Sequence, residues 1–213
     1  MLIDHTGRIL FPEHIIFQII GRLAMPLYAY GIARGYKFSR DKGTLMHYMT
    51  NLFVLAICSQ IPYFLMMHSG MNTVFTWLFS LLLLSLLGGN GKCRIAAFCG
   101  VLGMVSYLVW NRILPIDYGV SGLLTPVLFY LLIESKKEST INYILVLLVA
   151  WAVFVVESQS VGSVVQIFSV LSAFILSAVK EKKGIGINKR FYYWFYPIHI
   201  VILLMIKFIM KGS

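Results

Sequence analysis

Hydrophobic and polar positions alternate along this chain in blocks. Eight apolar runs, at 15–36, 44–67, 72–89, 95–111, 118–133, 141–156, 163–179 and 191–209, are separated by short polar stretches. Each run approaches the roughly 20 residues a helix needs to cross the hydrocarbon of a bilayer. The residue-by-residue alternation of a barrel strand is absent. The pattern therefore predicts an all-α polytopic transmembrane helix bundle of about eight spans, forming a single domain over residues 1–213. Pro26, Pro62, Pro126 and Pro197 fall inside runs. Each lacks a backbone donor and frees the carbonyl one turn back, so several spans are expected to be proline-kinked. Residues 1–14, with Asp4, His5, Arg8, Glu13 and His14 around Phe11-Pro12, are too polar and broken for a complete span.

Composition narrows the class further. A chain that is 59% hydrophobic and 12% charged is not a soluble domain. Its formal net charge of +10 would suit a nucleic-acid partner only if it formed a continuous stripe. Instead every second loop is basic: Lys37 to Lys42, Lys92 to Arg94, Lys136-Lys137, and Lys180 to Arg190. The positive-inside rule then places these loops in the cytoplasm and both termini outside. Cys58, Cys93 and Cys99 have no metal-ligand spacing and read as core residues. Polar residues begin at Asp4, so no cleavable signal peptide is expected.

Arg22 is the first candidate for chemistry, because a charge near the bilayer centre costs about 2.5–3.5 kcal/mol and usually faces a wet or protein-lined interior. Pro26 frees the Arg22 carbonyl at the same place, and Gly21 lets a neighbour approach. A purely structural Arg22 would snorkel or pair with a buried carboxylate. At about 1.5 Å per residue, Arg22 lies roughly 10 Å below the outer end of its span, Ser59 roughly 12 Å below its own, and His199 roughly 13 Å in from the cytoplasmic end of the last. These groups are expected near mid-membrane, with Asp4, His5, Asn72, Asp117 and Glu157 near the outer face. His5 and His199 are the proton carriers. Asp4 would raise the basicity of His5 electrostatically, although adjacent helical residues diverge by about 100° and imply no direct bond. Asp117-Tyr118-Gly119 is turn chemistry that also offers Asp117 to Arg112 or to a base. Tyr192, Tyr193, Trp194 and Tyr196 form an interfacial aromatic belt. The basic rim of Arg34, Lys37, Arg40 and Lys42 suits phosphates, though topology alone explains it.

Taken in order, Asp4-His5, Gly21-Arg22-Leu-Ala-Met-Pro26, Arg34-Gly35-Tyr36, Ser59-Gln60-Ile61-Pro62, Asn72-Thr73-Val74-Phe75-Thr76, Asp117-Tyr118-Gly119 and Phe195-Tyr196-Pro197-Ile198-His199 resemble the TraX family. Its named member is the conjugative pilin acetylase. The resemblance implies a multi-pass acetyltransferase of the bacterial cell membrane, drawing acetyl groups from cytoplasmic acetyl-CoA. Its acceptor would be the amino terminus of a pilin-like protein, or alternatively a surface glycan or lipid. Membrane lipids are its surroundings, and no metal or nucleic acid is called for.

On this reading Arg34, Arg40 and Lys42 hold the coenzyme phosphates, and the pantetheine arm passes Tyr196 and His199. His5 with Asp4 takes the acceptor's proton, and Arg22 with Ser59 stabilises the oxyanion. The reverse assignment of the two histidines stays open. Family members usually carry an apolar helix ahead of the Asp-His pair, whereas here Met1 stands three residues before Asp4, so either a further helix precedes this start or this member is short. With the further helix the amino terminus would be cytoplasmic and the other spans would stay as they are. Two readings from other classes compete: a small transporter whose Arg22 binds an anionic solute, and a noncatalytic assembly partner of a surface appendage.

Overall fold

The computed structural model describes residues 1–68, 70–87, 92–158, 165–178 and 189–212, with the backbone alone at 92, 93, 158, 189–192, 211 and 212. The predicted loops at 159–162 and 180–188 lie outside the described residues, as do the side chains of Lys92, Cys93, Lys189, Arg190 and Tyr192. The helices are α1 (Leu2–Leu10), α2 (Ile15–Arg22), α3 (Ala24–Asp41), α4 (Leu45–Met67), α5 (Thr73–Leu87), α6 (Lys92–Trp110), α7 (Gly119–Glu134) and α8 (Thr140–Ser158). A 3-10 segment (Gln166–Leu171) then leads into α9 (Ser172–Ala178), and α10 is Lys189–Gly212. No strand occurs among the described residues. An all-helical answer is what an apolar solvent demands, since helices satisfy every backbone donor within their own segment.

Each of the eight apolar runs carries a helix, at unequal lengths. Ile15–Asp41, Leu45–Met67, Thr140–Glu157 and Tyr193–Met210 are long and apolar enough to cross a membrane, whereas Thr73–Leu87, Arg94–Trp110, Gly119–Glu134 and Gln166–Ala178 are apolar but shorter. The prolines behave differently from one another. Helix α2 ends at Arg22 and α3 starts at Ala24, with Leu23 between them in helical dihedrals and donating to the Ile20 carbonyl at 3.2 Å. Pro26 supplies no N–H to the Arg22 carbonyl, so hydrogen bonding breaks there while the direction continues. Helices α4, α7 and α10 run on through Pro62, Pro126 and Pro197.

Two arrangements position the site. First, α1 folds back against α2 and α10. The approach is close because Gly7 and Gly21 have no side chain: a Cβ at Gly7 would overlap Phe17, and one at Gly21 would overlap Asp4. Second, the loop before α5 is tied to the loop before α7. Met71 N–H donates to the Pro115 carbonyl at 2.7 Å, and Asp117 N–H to the Met71 carbonyl at 3.2 Å. Asn72 anchors the same corner, its Oδ1 accepting from Val74 N–H at 3.0 Å and its Nδ2 donating to the Ala56 carbonyl at 2.8 Å. Gln60 completes it by accepting from Asn72 N–H and donating to the Gly70 carbonyl. Behind this corner α5, α7 and α3 pack through fully buried Leu81, Leu84, Leu123, Phe129, Ala29 and Ala33.

Candidate functional site

Folding α1 back brings its polar face, Asp4 and His5, into the interior, where both are more than nine-tenths buried. A buried polar group is costly unless it is hydrogen-bonded, and here the partners differ for the two neighbours. Asp4 pairs with Arg8 one turn on, Oδ2 to Nε at 3.0 Å. His5 meets His199 of α10, Nδ1 to Nε2 at 2.8 Å, with the two rings stacked within 6° of parallel. The divergence expected of adjacent helical residues is thus realised, and Asp4 is turned to Arg8. The two expected layers, one at mid-membrane and one at the outer face, are in this respect a single cluster.

The hydrogen-bond chain fixes the protons of the histidine pair. His199 Nδ1 lies 2.7 Å from the Phe195 carbonyl oxygen, which can only accept, so Nδ1 carries the hydrogen. A neutral His199 then presents a lone pair at Nε2, and His5 must donate to it from Nδ1. The remaining nitrogen, His5 Nε2, holds the lone pair of the couple. In a neutral couple His5 Nε2 is thus the nitrogen free to accept a proton, and His199 holds the His5 ring through its own Nε2.

Around His5 lies a cavity of about 20 Å³ lined also by Asp4, Arg8, Tyr63, Thr73, Asp117 and Tyr118. Such a space holds about one water molecule, so nothing larger enters unless α1 or its neighbours move. Asp117 accepts from the Thr73 hydroxyl and from Tyr118 N–H, while Thr76 donates to its carbonyl at 2.9 Å. Burial pushes the Asp117 carboxyl above its ordinary value, opposed by the Thr73 bond and by Arg8 and Arg22. Arg22 is half-buried, and its field reaches Asp117 and Tyr118. Its Nε has no hydrogen-bond partner among the described residues. Ser59 is fully buried but lines no part of this cavity, and its hydroxyl donates to the Leu55 carbonyl of its own helix at 2.6 Å.

Burial, followed by the fields of His199, Arg8 and the amino terminus, pushes His5 down to about 3. The sign for stability follows. A histidine in the unfolded chain titrates near ~6.5, so the neutral His5 stabilises the fold fully above that pH and progressively less as pH falls toward about 3. The stability of the wild type relative to His5→Gln should therefore fall by about 1.4 kcal/mol per pH unit between about pH 6 and pH 4. Thermal unfolding of both proteins in the same detergent checks this, and a pH-independent difference would rule out a buried neutral His5.

The rim at the other end of α3 is built of pairs. Arg40 lies 3.3 Å from Glu134 and bonds the Tyr130 hydroxyl, Lys37 lies 3.3 Å from Glu134, and Arg34 lies 3.7 Å from Glu138. Lys42 sits over the Phe38 ring at 4.4 Å. These exposed pairs are each worth about 0–1 kcal/mol, so an incoming phosphate can displace the carboxylates at small cost. A groove of about 610 Å³ runs beside them, lined by Arg34, Lys37 and Lys136 among others. Sequence reasoning passed over Arg8, although it was legible, four residues after Asp4 and so on the same helix face.

A family model described as TraX protein matches residues 1–207. No curated protein and no solved structure matches the chain.

Proposed function

We propose that this chain, which belongs to the TraX family, is an integral membrane acetyltransferase that moves an acetyl group from cytoplasmic acetyl-CoA to an acceptor amine presented from the outer side. The observation that carries the reading is the His5–His199 couple, whose tautomers leave an unprotonated nitrogen in a buried polar cavity. Membership of a family that includes a pilin acetylase makes a pilin-like amino terminus the acceptor of choice. The orientation is supported by the joining of two basic loops at one end of the bundle, since Lys37 and Lys136 line the same groove. That groove is also where coenzyme phosphates would be held, by Arg34 with Lys37 and Lys136 in its lining and by Arg40 and Lys42 further along α3, once the carboxylates give way.

The chemistry asks little of the base. The acceptor nitrogen becomes far more acidic once it is bonded to the carbonyl carbon, so even a histidine of depressed basicity removes its proton. The positive charge this creates on His5 is shared with His199 through the existing hydrogen bond, and Phe195 holds the far proton in place. Asp117 and Arg8 provide opposite charges within the same cavity.

The deciding experiment is label transfer from acetyl-CoA by the purified full chain in nanodiscs, with pilin-like amino-terminal peptides and cell-envelope fractions offered in parallel. Label on the peptide amine is the expected result. Label on glycan or lipid would keep the enzyme and change the acceptor. Neither coenzyme binding nor transfer would overturn the reading, and solute flux in proteoliposomes would replace it with a transporter.

A further inference from the structure

A second cavity, of about 290 Å³, lies between α3, α4, α5 and α10, its walls including Tyr28, Gly31, Gly35, Tyr48, Trp77 and Tyr196. Its position is defined by residues it shares. Gly35 also lines the basic groove at the rim, and Trp77 also lines the small polar cavity around His5. The three spaces thus adjoin through shared walls, the basic groove meeting the aromatic chamber at Gly35 and the chamber meeting the histidine cavity at Trp77. Tyr196 stands 6.2 Å from His5 and 5.7 Å from His199, ring centre to ring centre, at the inner end.

Two residues of this wall carry buried polar hydrogens without an acceptor. Trp77 is 4% exposed and Tyr196 6%, and neither Trp77 Nε1 nor Tyr196 Oη has a hydrogen-bond partner among the described residues. The Tyr196 hydroxyl lies near Thr73, but without bonding geometry, and the Thr73 hydroxyl is committed to Asp117. Buried donors without acceptors are rare because each forfeits the hydration it left behind. Two of them on residues of one chamber wall point to an acceptor that arrives with a ligand. Gly31, an exposed residue of the same wall, leaves the chamber open to the outside on the α3 side, since a Cβ there would meet nothing within 4 Å.

We propose that the chamber holds the thioester arm of the acyl donor, with the thioester carbonyl oxygen received by Trp77 Nε1–H and Tyr196 Oη–H; this rests on the acetyltransferase reading above. In the step, the acceptor nitrogen bonds to the carbonyl carbon and the carbonyl π pair moves onto oxygen, where the two donors hold it. The pair returns as the carbon–sulfur bond breaks and the thiolate leaves. The nitrogen proton passes to His5 Nε2 and then to the thiolate, giving an amide and a thiol. The oxyanion role thereby falls to Trp77 and Tyr196 in place of Arg22 and Ser59.

The test uses the full chain in nanodiscs with coenzyme A as the binding probe and acetyl-CoA as the donor. Gly31→Phe fills the chamber from a position where the backbone leaves room. It should raise the Kd for coenzyme A at least about tenfold. Trp77→Phe and Tyr196→Phe keep the aromatic wall and delete one donor each. Each should lower kcat by about 10²–10³-fold, the size of a lost oxyanion donor, with the Kd for coenzyme A within about twofold and the melting temperature no lower. Wild-type transfer combined with unaltered Kd in Gly31→Phe and unaltered kcat in both phenylalanine variants would overturn the chamber while leaving the enzyme intact. A tightly bound lipid that coenzyme A does not displace would overturn it too. Absence of both coenzyme binding and transfer in the wild type would remove the reading beneath it.

Discussion

His5→Gln should lose about 10²–10⁴-fold in acetyl transfer, the usual contribution of a positioned general base, while the protein stays folded and binds coenzyme A. Glutamine fills a similar volume and can still donate to His199 Nε2, so the couple's geometry survives while its lone pair for the acceptor proton is gone. His199 acts through His5, and its variants should grade accordingly. His199→Phe leaves the His5 Nδ1–H without an acceptor and frees the ring to rotate. His199→Asn keeps an acceptor oxygen and should recover part of the rate. A merely structural His199 would not show that recovery, nor would its loss move the pH profile of transfer. Rates measured in nanodiscs on folded variants decide the matter. A His5→Gln enzyme of wild-type kcat would sink the assignment, and a His199→Phe defect deeper than that of His5→Gln would reverse it.

The residues of this couple were visible in the sequence, but their meeting was not. His5 and His199 are 194 positions apart, and neither hydropathy nor spacing says that a nine-residue polar helix folds back onto the last helix of the chain. The apolar runs, by contrast, gave the helices directly, because hydrophobic length is the signal a bilayer reads. Counting rise along each helix placed His5 and His199 at different depths, an error that came from treating residues 1–14 as an end piece outside the bundle. Gly21 marks a point of close approach in the sequence, and Asp4 is the group that approaches it. The rim basic residues looked free for phosphate because their partners, Glu134 and Glu138, lie about 94 to 104 positions further along the chain. Trp77 was hidden for the opposite reason. An aromatic residue inside an apolar run looks like packing, and only the absence of an acceptor at its nitrogen marks it out.

Arg8→Met should destabilise the protein by about 3–5 kcal/mol, the range seen when one partner of a buried ion pair is removed. Asp4 keeps 8% of its side chain exposed and Arg8 26%, so water recovers little of the lost interaction. The surroundings make the remaining carboxylate worse placed than in an isolated pair. Asp4 Oδ1 already has no hydrogen-bond partner among the described residues, Gly21 packs against its side chain, and the Asp117 carboxylate lies close enough for mutual repulsion. Arg8 therefore stands between two acidic groups, and Arg22, which reaches Asp117, completes a cluster in which the charges balance. Asp4→Asn in the Arg8→Met background removes the stranded charge and should recover much of the loss. Asp4→Asn alone should cost less than Arg8→Met, because it leaves Arg8 facing Asp117. Thermal unfolding of the four proteins in one detergent gives the cycle, and an Arg8→Met change under about 1 kcal/mol would mean that α1 is held by its packing on α2 and α10 and not by this pair.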